Sequence, residues 1–511
     1  ALVAALVALL QYAYSLQKDF VLYAATVFRG DPTIMEFKYI PSYFREDYYR
    51  YIPMEGRQVR SLLYYRPFMK VIHLLEYKLF GSNPIGYNVV NIVLNAAVVV
   101  LGFFLIVAVT GDRNAALLAA LLYAVNPSRV EAVSWAYSDS YIFTAFFSLL
   151  SLLLYQKKRH VLSYAGFSLA LFCHESAILL PVVILLSEYL LKREHALQGI
   201  KRAAPFFALA GMFLLVRRTV VGALPLTDLD PITLSNTIAV VIKRYVKIFF
   251  FPDAPITIYP NEFFPGLNAE VAVSYLVVFG LAALGVFFWF KKRNYLFWYL
   301  WFFVWISVTF NIGRFGEYLM ADKLLNLASF GFCALIAFFV VDMGKYRKFA
   351  VSAVSLLIVL HAGVTFARTR YWINDDTYLN KAVEFAPRFY PAAYSLAGHY
   401  ASTGRYDEAI TWYEKTIDIN PRFSYASCNL GNTYFMKGEE EKAVRAWERA
   451  IQADPANPLP YYNIGMVWDK RGDSASSLRY YRKFIELSPN VPPALLNRIK
   501  ALEEQAGVVQ K

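Results

Sequence analysis

The residues best placed for chemistry are charged side chains that stand where long apolar segments end. His174 and Glu175 are adjacent at the outer end of one such segment. Ionisable groups at membrane depth usually have a purpose, so this pair could bind phosphate or sugar, or form a satisfied buried pair. Arg66 precedes Pro67 in a long polar stretch. A guanidinium matches phosphate geometry; the alternative is a salt bridge within the loop. Lys243, Arg244 and Lys247 interrupt the apolar run TIAVVIKRYVKIFFF and suit anionic lipid headgroups. The sequence has no Cys/His cluster with metal-ligand spacing and no phosphate-binding glycine loop. Neither a metal nor a cofactor is expected.

The elements that must position these groups are membrane helices. Of 511 residues, 58% are hydrophobic and 17% charged, against about 25% charged in soluble domains. Before residue 367 the charges form short clusters between apolar runs; beyond it they are spread at helical spacing. A span needs roughly 20 apolar residues. Candidates are 1–17, 88–110, 114–126, 140–156, 161–173, 175–191, 203–219, 271–290, 295–311, 326–342 and 348–366, about eleven crossings. The first lies at Ala1 and reads as a span or an uncleaved signal-like segment.

Basic clusters in short loops orient the spans. Lys157-Lys158-Arg159, Lys192-Arg193, Lys201-Arg202, Lys291-Lys292-Arg293 and Lys345–Lys348 share the cytoplasmic side if 235–251 lies at the interface. The N-terminus is then cytoplasmic. The stretches 18–87, 127–139, 220–270 and 312–325 face outside with the C-terminal region, in a periplasm or a lumen, with a bacterial inner membrane favoured. The net charge of +13 follows from these loops and gives no reason to expect nucleic acid. Cys173, Cys333 and Cys428 form no disulfide framework.

A second architecture begins near the C-terminal end. Pro387, Pro421, Pro455 and Pro489 are 34 residues apart. Within that period Leu396, Leu430 and Ile464 align, as do Tyr400, Tyr434 and Trp468; Gly404, Gly438 and Gly472; and Tyr413, Trp447 and Tyr481. The pattern resembles the tetratricopeptide (TPR) family closely. The expected division is a membrane domain over 1–366, an entry helix within 367–386, three repeats over 387–488, and a capping helix and tail over 489–511. A solenoid groove would bind an extended polypeptide; a scaffold that only orients the membrane domain is the alternative.

The membrane part carries ordered motifs: DFVLYAATVFRGDPTI (Asp19–Ile34), YYRPF (Tyr64–Phe68), LFGSNPIGYNVVNIVLN (Leu79–Asn95), LLYAVNPSRVEAVSW (Leu121–Trp135), HESAILLPVVILLSEYL (His174–Leu190), MADKLLNLASFGF (Met320–Phe332) and RTRYWINDDTYLNKAVEFAP (Arg368–Pro387). With the repeats, this order resembles the transmembrane-and-TPR-containing O-mannosyltransferases and their bacterial relatives. The resemblance implies an all-α polytopic domain of GT-C type followed by a TPR solenoid. It also implies an inverting transfer of sugar from a polyprenyl-phosphate donor to an acceptor outside the cytoplasm, a protein Ser/Thr hydroxyl. Such monophosphate donors imply no metal. Rival functions are an oligosaccharide ligase or polymerase with a TPR tail, and a non-enzymatic membrane scaffold presenting the repeats.

By the same resemblance an acidic pair should follow the first span, where this chain has Ala24 and Ala25. The alanines are engineered, or natural in an inactive member, or else Asp19, Asp31 or Glu36 is the base. Engineering is favoured, because proton abstraction by a carboxylate is hard to replace. Lys323, after Asp322, aligns with the family's basic residue and is the first phosphate candidate, with Arg314 nearby. Leu324 and Asn326 stand where the family has tyrosines. Arg129 follows Asn126, where relatives often have histidine, and Asp139 lies near an acid of the family. His174-Glu175 matches a Lys-Glu pair.

Overall fold

The computed structural model describes all residues except 23, 49, 51–63, 223–228, 253–258, 261, 311–317, 489–490 and 506–511. The chain divides into two compact units, Ala1–Asn374 and Asp375–Lys511.

The first unit is helical, and local chemistry sets where its helices begin and end. Asn83 caps Pro84–Thr110 by accepting from the Ile85 amide, and Gly111 ends that helix in the left-handed region at φ 74°. Asp112 then accepts from the Asn114 and Ala115 amides and starts Arg113–Val125. Pro127 lacks the amide needed to continue, and the chain bends by 55° into Pro127–Ser134.

Small residues allow close helix approach. A Cβ on Gly331 would meet the Trp298 carbonyl at 2.6 Å, and one on Gly102 would meet Phe330 at 2.6 Å. Ser151 and Ser163 exchange hydroxyl-to-carbonyl bonds of 2.7 and 2.8 Å between Asp139–Gln156 and His160–Cys173.

Among the described residues, six helices are long and apolar enough to cross a membrane, or seven if the bent pair counts as one span. They make this an integral membrane protein. Eleven crossings were expected, and the difference lies in the short segments. Leu2–Gln17 and His160–Cys173 are apolar but fall below spanning length. A helix of 14 residues, as His160–Cys173 is, rises only about 21 Å, against a hydrocarbon core of about 30 Å. The expected span 175–191 is broken into a 3-10 turn (Glu175–Leu179), a short α-helix (Leu180–Leu186) and a π-turn (Ser187–Leu191). Pro231–Phe250, which carries the interrupting cations Lys243, Arg244 and Lys247, is not among the six. One departure from all-α structure is a short antiparallel ladder between Tyr259–Pro260 and Tyr318–Met320.

The second unit is a run of antiparallel helices from Asp375–Phe385 to Pro493–Gln505. Its period has a backbone cause. Gly404, Gly438 and Gly472 all sit at φ near +80° (78°, 81° and 79°), a region other residues enter only with strain. Each ends the first helix of its repeat. Gly431 and Gly465 leave room for the next aromatic: an added Cβ would meet the Trp447 ring at 2.4 Å or the Tyr481 ring at 2.7 Å.

Candidate functional site

The ends of several helices in the first unit bring Lys323 into a polar and aromatic setting. Its Nζ lies 3.2 Å from Glu131 Oε1, while its backbone amide donates to Glu131 Oε2 at 3.1 Å. The ammonium overlies the Trp135 ring at 4.6 Å and lies 5.7 Å from the Tyr141 ring. A cation over aromatic faces is attracted by the ring quadrupoles. The Trp135 indole donates to the Val21 carbonyl at 3.0 Å. The segment holding Asp19, Ala24 and Ala25 is therefore tied to the same tryptophan that Lys323 covers. A small cleft beside Lys323 is lined by Tyr141, Thr144, Ser176, Trp305 and Asn326.

His174 stands at this cleft's edge. Its ring lies 4.3 Å from Tyr141, and Nδ1 meets the Ser176 hydroxyl at 2.9 Å. The buried Nε2 has no hydrogen-bond partner among the described residues. Burial, then the positive Arg66 and Lys323, hold the imidazole well below its ordinary value, so it is neutral at physiological pH. Its neighbour Glu175 accepts from Arg66 Nε at 2.9 Å and from the Tyr65 amide at 3.1 Å. Arg66 thus joins the segment before Pro67 to the helix junction, the salt-bridge alternative, although with a partner 109 residues away.

Asp322 and Arg129 are structural ties. Asp322 is fully buried, accepts from Arg368 Nη2 at 2.6 Å and takes the Tyr259 hydroxyl at 2.8 Å. Arg129 is fully buried, with bonds to Asn95, Asn326 and the Tyr123 carbonyl. Those contacts engage three of the five guanidinium N–H groups.

Asp139 forms a separate cluster with two residues the sequence reading missed. His73 Nε2 lies 2.9 Å from Asp139 Oδ2, and Glu76 is close to both. Burial first, and then the Asp139 charge, push the Glu76 carboxyl well above its ordinary value.

The expected acid positions are resolved only in part. Ala24 is fully buried in an apolar cluster with Phe20, Phe28, Tyr87 and Ala136. The side chain of Ala25, and Arg314 altogether, lie outside the described residues. Asp19 is exposed and pairs with Arg29 at 3.3 Å. Asp31 is buried against Lys70 at 3.0 Å. One residue before Asp19, Lys18 is 3% exposed, and its ammonium has no hydrogen-bond partner among the described residues.

Glu131, Trp135 and Tyr141 complete the Lys323 setting and were not singled out from sequence. Glu131 and Trp135 do fall inside or at the end of the VEAVSW motif.

Models described as "TPR repeat" match residues 399–438 and 431–468, and one described as "Tetratricopeptide repeat" matches 460–491. Protein O-mannosyl-transferase tmtc2 of Xenopus laevis is 37% identical over 109 residues, 21% of this chain and 13% of that protein. A protein O-mannosyl-transferase of Caenorhabditis elegans is 23% identical over 368 residues, 68% of this chain and 52% of that protein. Protein O-mannosyl-transferase TMTC3 of Mus musculus is 30% identical over 116 residues, 23% of this chain and 12% of that protein. The chain thus spans about half the length of the Caenorhabditis relative and about an eighth of the other two. Its curated relatives are therefore protein O-mannosyl-transferases of the TMTC type, and it carries TPR repeats at its C-terminal end.

Proposed function

We propose that this chain is built as a membrane glycosyltransferase that moves a sugar from a polyprenyl-phosphate donor to an acceptor hydroxyl outside the cytoplasm. The observation that carries the reading is the shared tryptophan. Trp135 holds the Asp19–Ala25 segment through Val21 and lies under the Lys323 ammonium. A phosphate at Lys323 and a sugar on the neighbouring aromatic faces would then sit beside the segment where relatives place acids.

In the transfer, the acceptor oxygen forms a bond to the anomeric carbon from the face opposite the phosphate. The carbon–oxygen bond to the phosphate breaks, and the phosphate leaves with the electron pair. Lys323 offsets the charge that develops on it. The acceptor proton goes to a general base. Alanine at 24 and 25 removes the side chains that would take it. The TPR unit would hold an extended acceptor polypeptide. The long outer loops face the periplasm or a lumen.

The test restores the acids. Ala24→Asp, Ala25→Asp and the double variant are assayed for mannose transfer from polyprenyl-phosphate mannose to Ser/Thr peptides. At least one restored form is expected to transfer at a rate about 100-fold or more above the chain as it stands, the contribution of a positioned base. Ala25→Asp is the better candidate, because Ala24 packs in an apolar cluster where a carboxylate would be buried. If no restored form transfers sugar from any lipid-linked donor, the reading fails.

A further inference from the structure

His73, Glu76 and Asp139 lie apart from Lys323 in role and are unused by the proposed transfer. One ligand atom from each lies within 4.8 Å of the other two. The residues are 1%, 5% and 2% exposed. His73 and Glu76 are three apart on the helix Pro67–Phe80 and so share a face. Asp139 opens the helix Asp139–Gln156.

Two further observations point to a ligand. Glu76 Oε2 and Asp139 Oδ1 are buried with no hydrogen-bond partner among the described residues. No lysine or arginine pairs with either carboxylate in that set; Lys70, one turn earlier on the same helix, is held by Asp31. Buried carboxyl oxygens left without a partner carry a desolvation cost. The imidazole is also oriented as a ligand. Tyr48 Oη lies 3.2 Å from His73 Nδ1, and the ring so held points Nε2 at Asp139 Oδ2, 2.9 Å away.

We propose that His73, Glu76 and Asp139 form a binding site for one divalent transition-metal ion that pins the first outer loop to the start of the helix Asp139–Gln156. One imidazole nitrogen and two carboxylate oxygens suit Zn²⁺ or Mn²⁺. The ion replaces the proton that otherwise joins Nε2 to Asp139. Burial of all three side chains gives the ion a structural role, with water completing its coordination. It stands or falls separately from the transfer reaction.

The full chain in detergent, stripped with chelator, is incubated with Zn²⁺ or Mn²⁺, gel-filtered and assayed for metal by mass spectrometry. About one ion per chain is expected, with a rise in melting temperature on loading, since an ion that binds only the folded state stabilises it. Glu76→Gln, near in shape to the native residue, and His73→Gln should each lose the bound ion and the rise in melting temperature. Tyr48→Phe should weaken binding about tenfold or more, as loss of an outer-shell partner does. Circular dichroism of each variant separates loss of the site from loss of the fold. Retention of the full metal content by folded Glu76→Gln, or no metal in the parent chain, would overturn the proposal.

Discussion

Deeply buried ion pairs set the membrane unit apart from the repeat unit. In the membrane unit the ion pairs Arg368–Asp322 and Lys70–Asp31 are almost wholly buried, with side-chain exposures of 3% and 0%, and 5% and 1%. In the TPR unit, Arg498–Asp469, Arg405–Asp376 and Lys437–Asp407 lie at the surface. The repeat unit is held by glycine–aromatic packing that recurs every turn of the period. The membrane unit is tied by single polar links between segments distant in sequence. Exposed pairs contribute little because water and salt screen them, whereas removing one partner of a buried pair leaves an uncompensated charge. Damage should therefore depend on which unit is hit.

The largest effect is expected at Arg368. Arg368→Ala strands the Asp322 carboxylate and the Pro127 carbonyl that it bonds at 2.8 Å. A loss of about 3–5 kcal/mol is expected, read as a large fall in the melting temperature of the detergent-solubilised protein. A small effect would mean that the buried links are not what holds the membrane unit.

Trp447→Ala should reach a similar size in the other unit, about 3–5 kcal/mol. The ring is buried, and its indole donates to the Cys428 carbonyl and to Asn432 Oδ1, each at 3.0 Å. Gly431→Ala tests the same contact from the other side. The added methyl would meet that ring and should cost about 1–3 kcal/mol by overpacking. The smallest effect is expected for Arg498→Ala, which removes an exposed pair and should leave the melting temperature nearly unchanged. A drop comparable to that of Arg368→Ala would erase the contrast between the units.

The same contrast explains what could be read from sequence. The repeats were legible because one backbone requirement, a glycine at positive φ, recurs with the aromatics at a fixed spacing. In the membrane unit, the charged residues could be named but not paired. Asp139 meets His73 across 66 positions, Lys323 meets Glu131 across 192 and Asp322 meets Arg368 across 46. Hydropathy carries no information about such partners. Arg129 was named from sequence, but its buried partners Asn95 and Asn326 were not. One signal was present and unused: His73-Leu74-Leu75-Glu76 places two metal-ligand types on one helical face. The span count failed to match for a related reason. Short apolar runs register as spans by composition, while proline and loop polarity break them in the fold.

Donor binding by Lys323 tests the central claim most directly, because it needs no catalytic acid. Binding of polyprenyl-phosphate mannose to the purified chain is compared with binding to Lys323→Gln. Loss of a charge-assisted contact worth about 1.5–3 kcal/mol should weaken the donor by roughly tenfold or more, with the melting temperature little changed. Equal affinity of the two proteins for the donor would contradict the assignment of Lys323 to the phosphate and, with it, the placement of the transfer site.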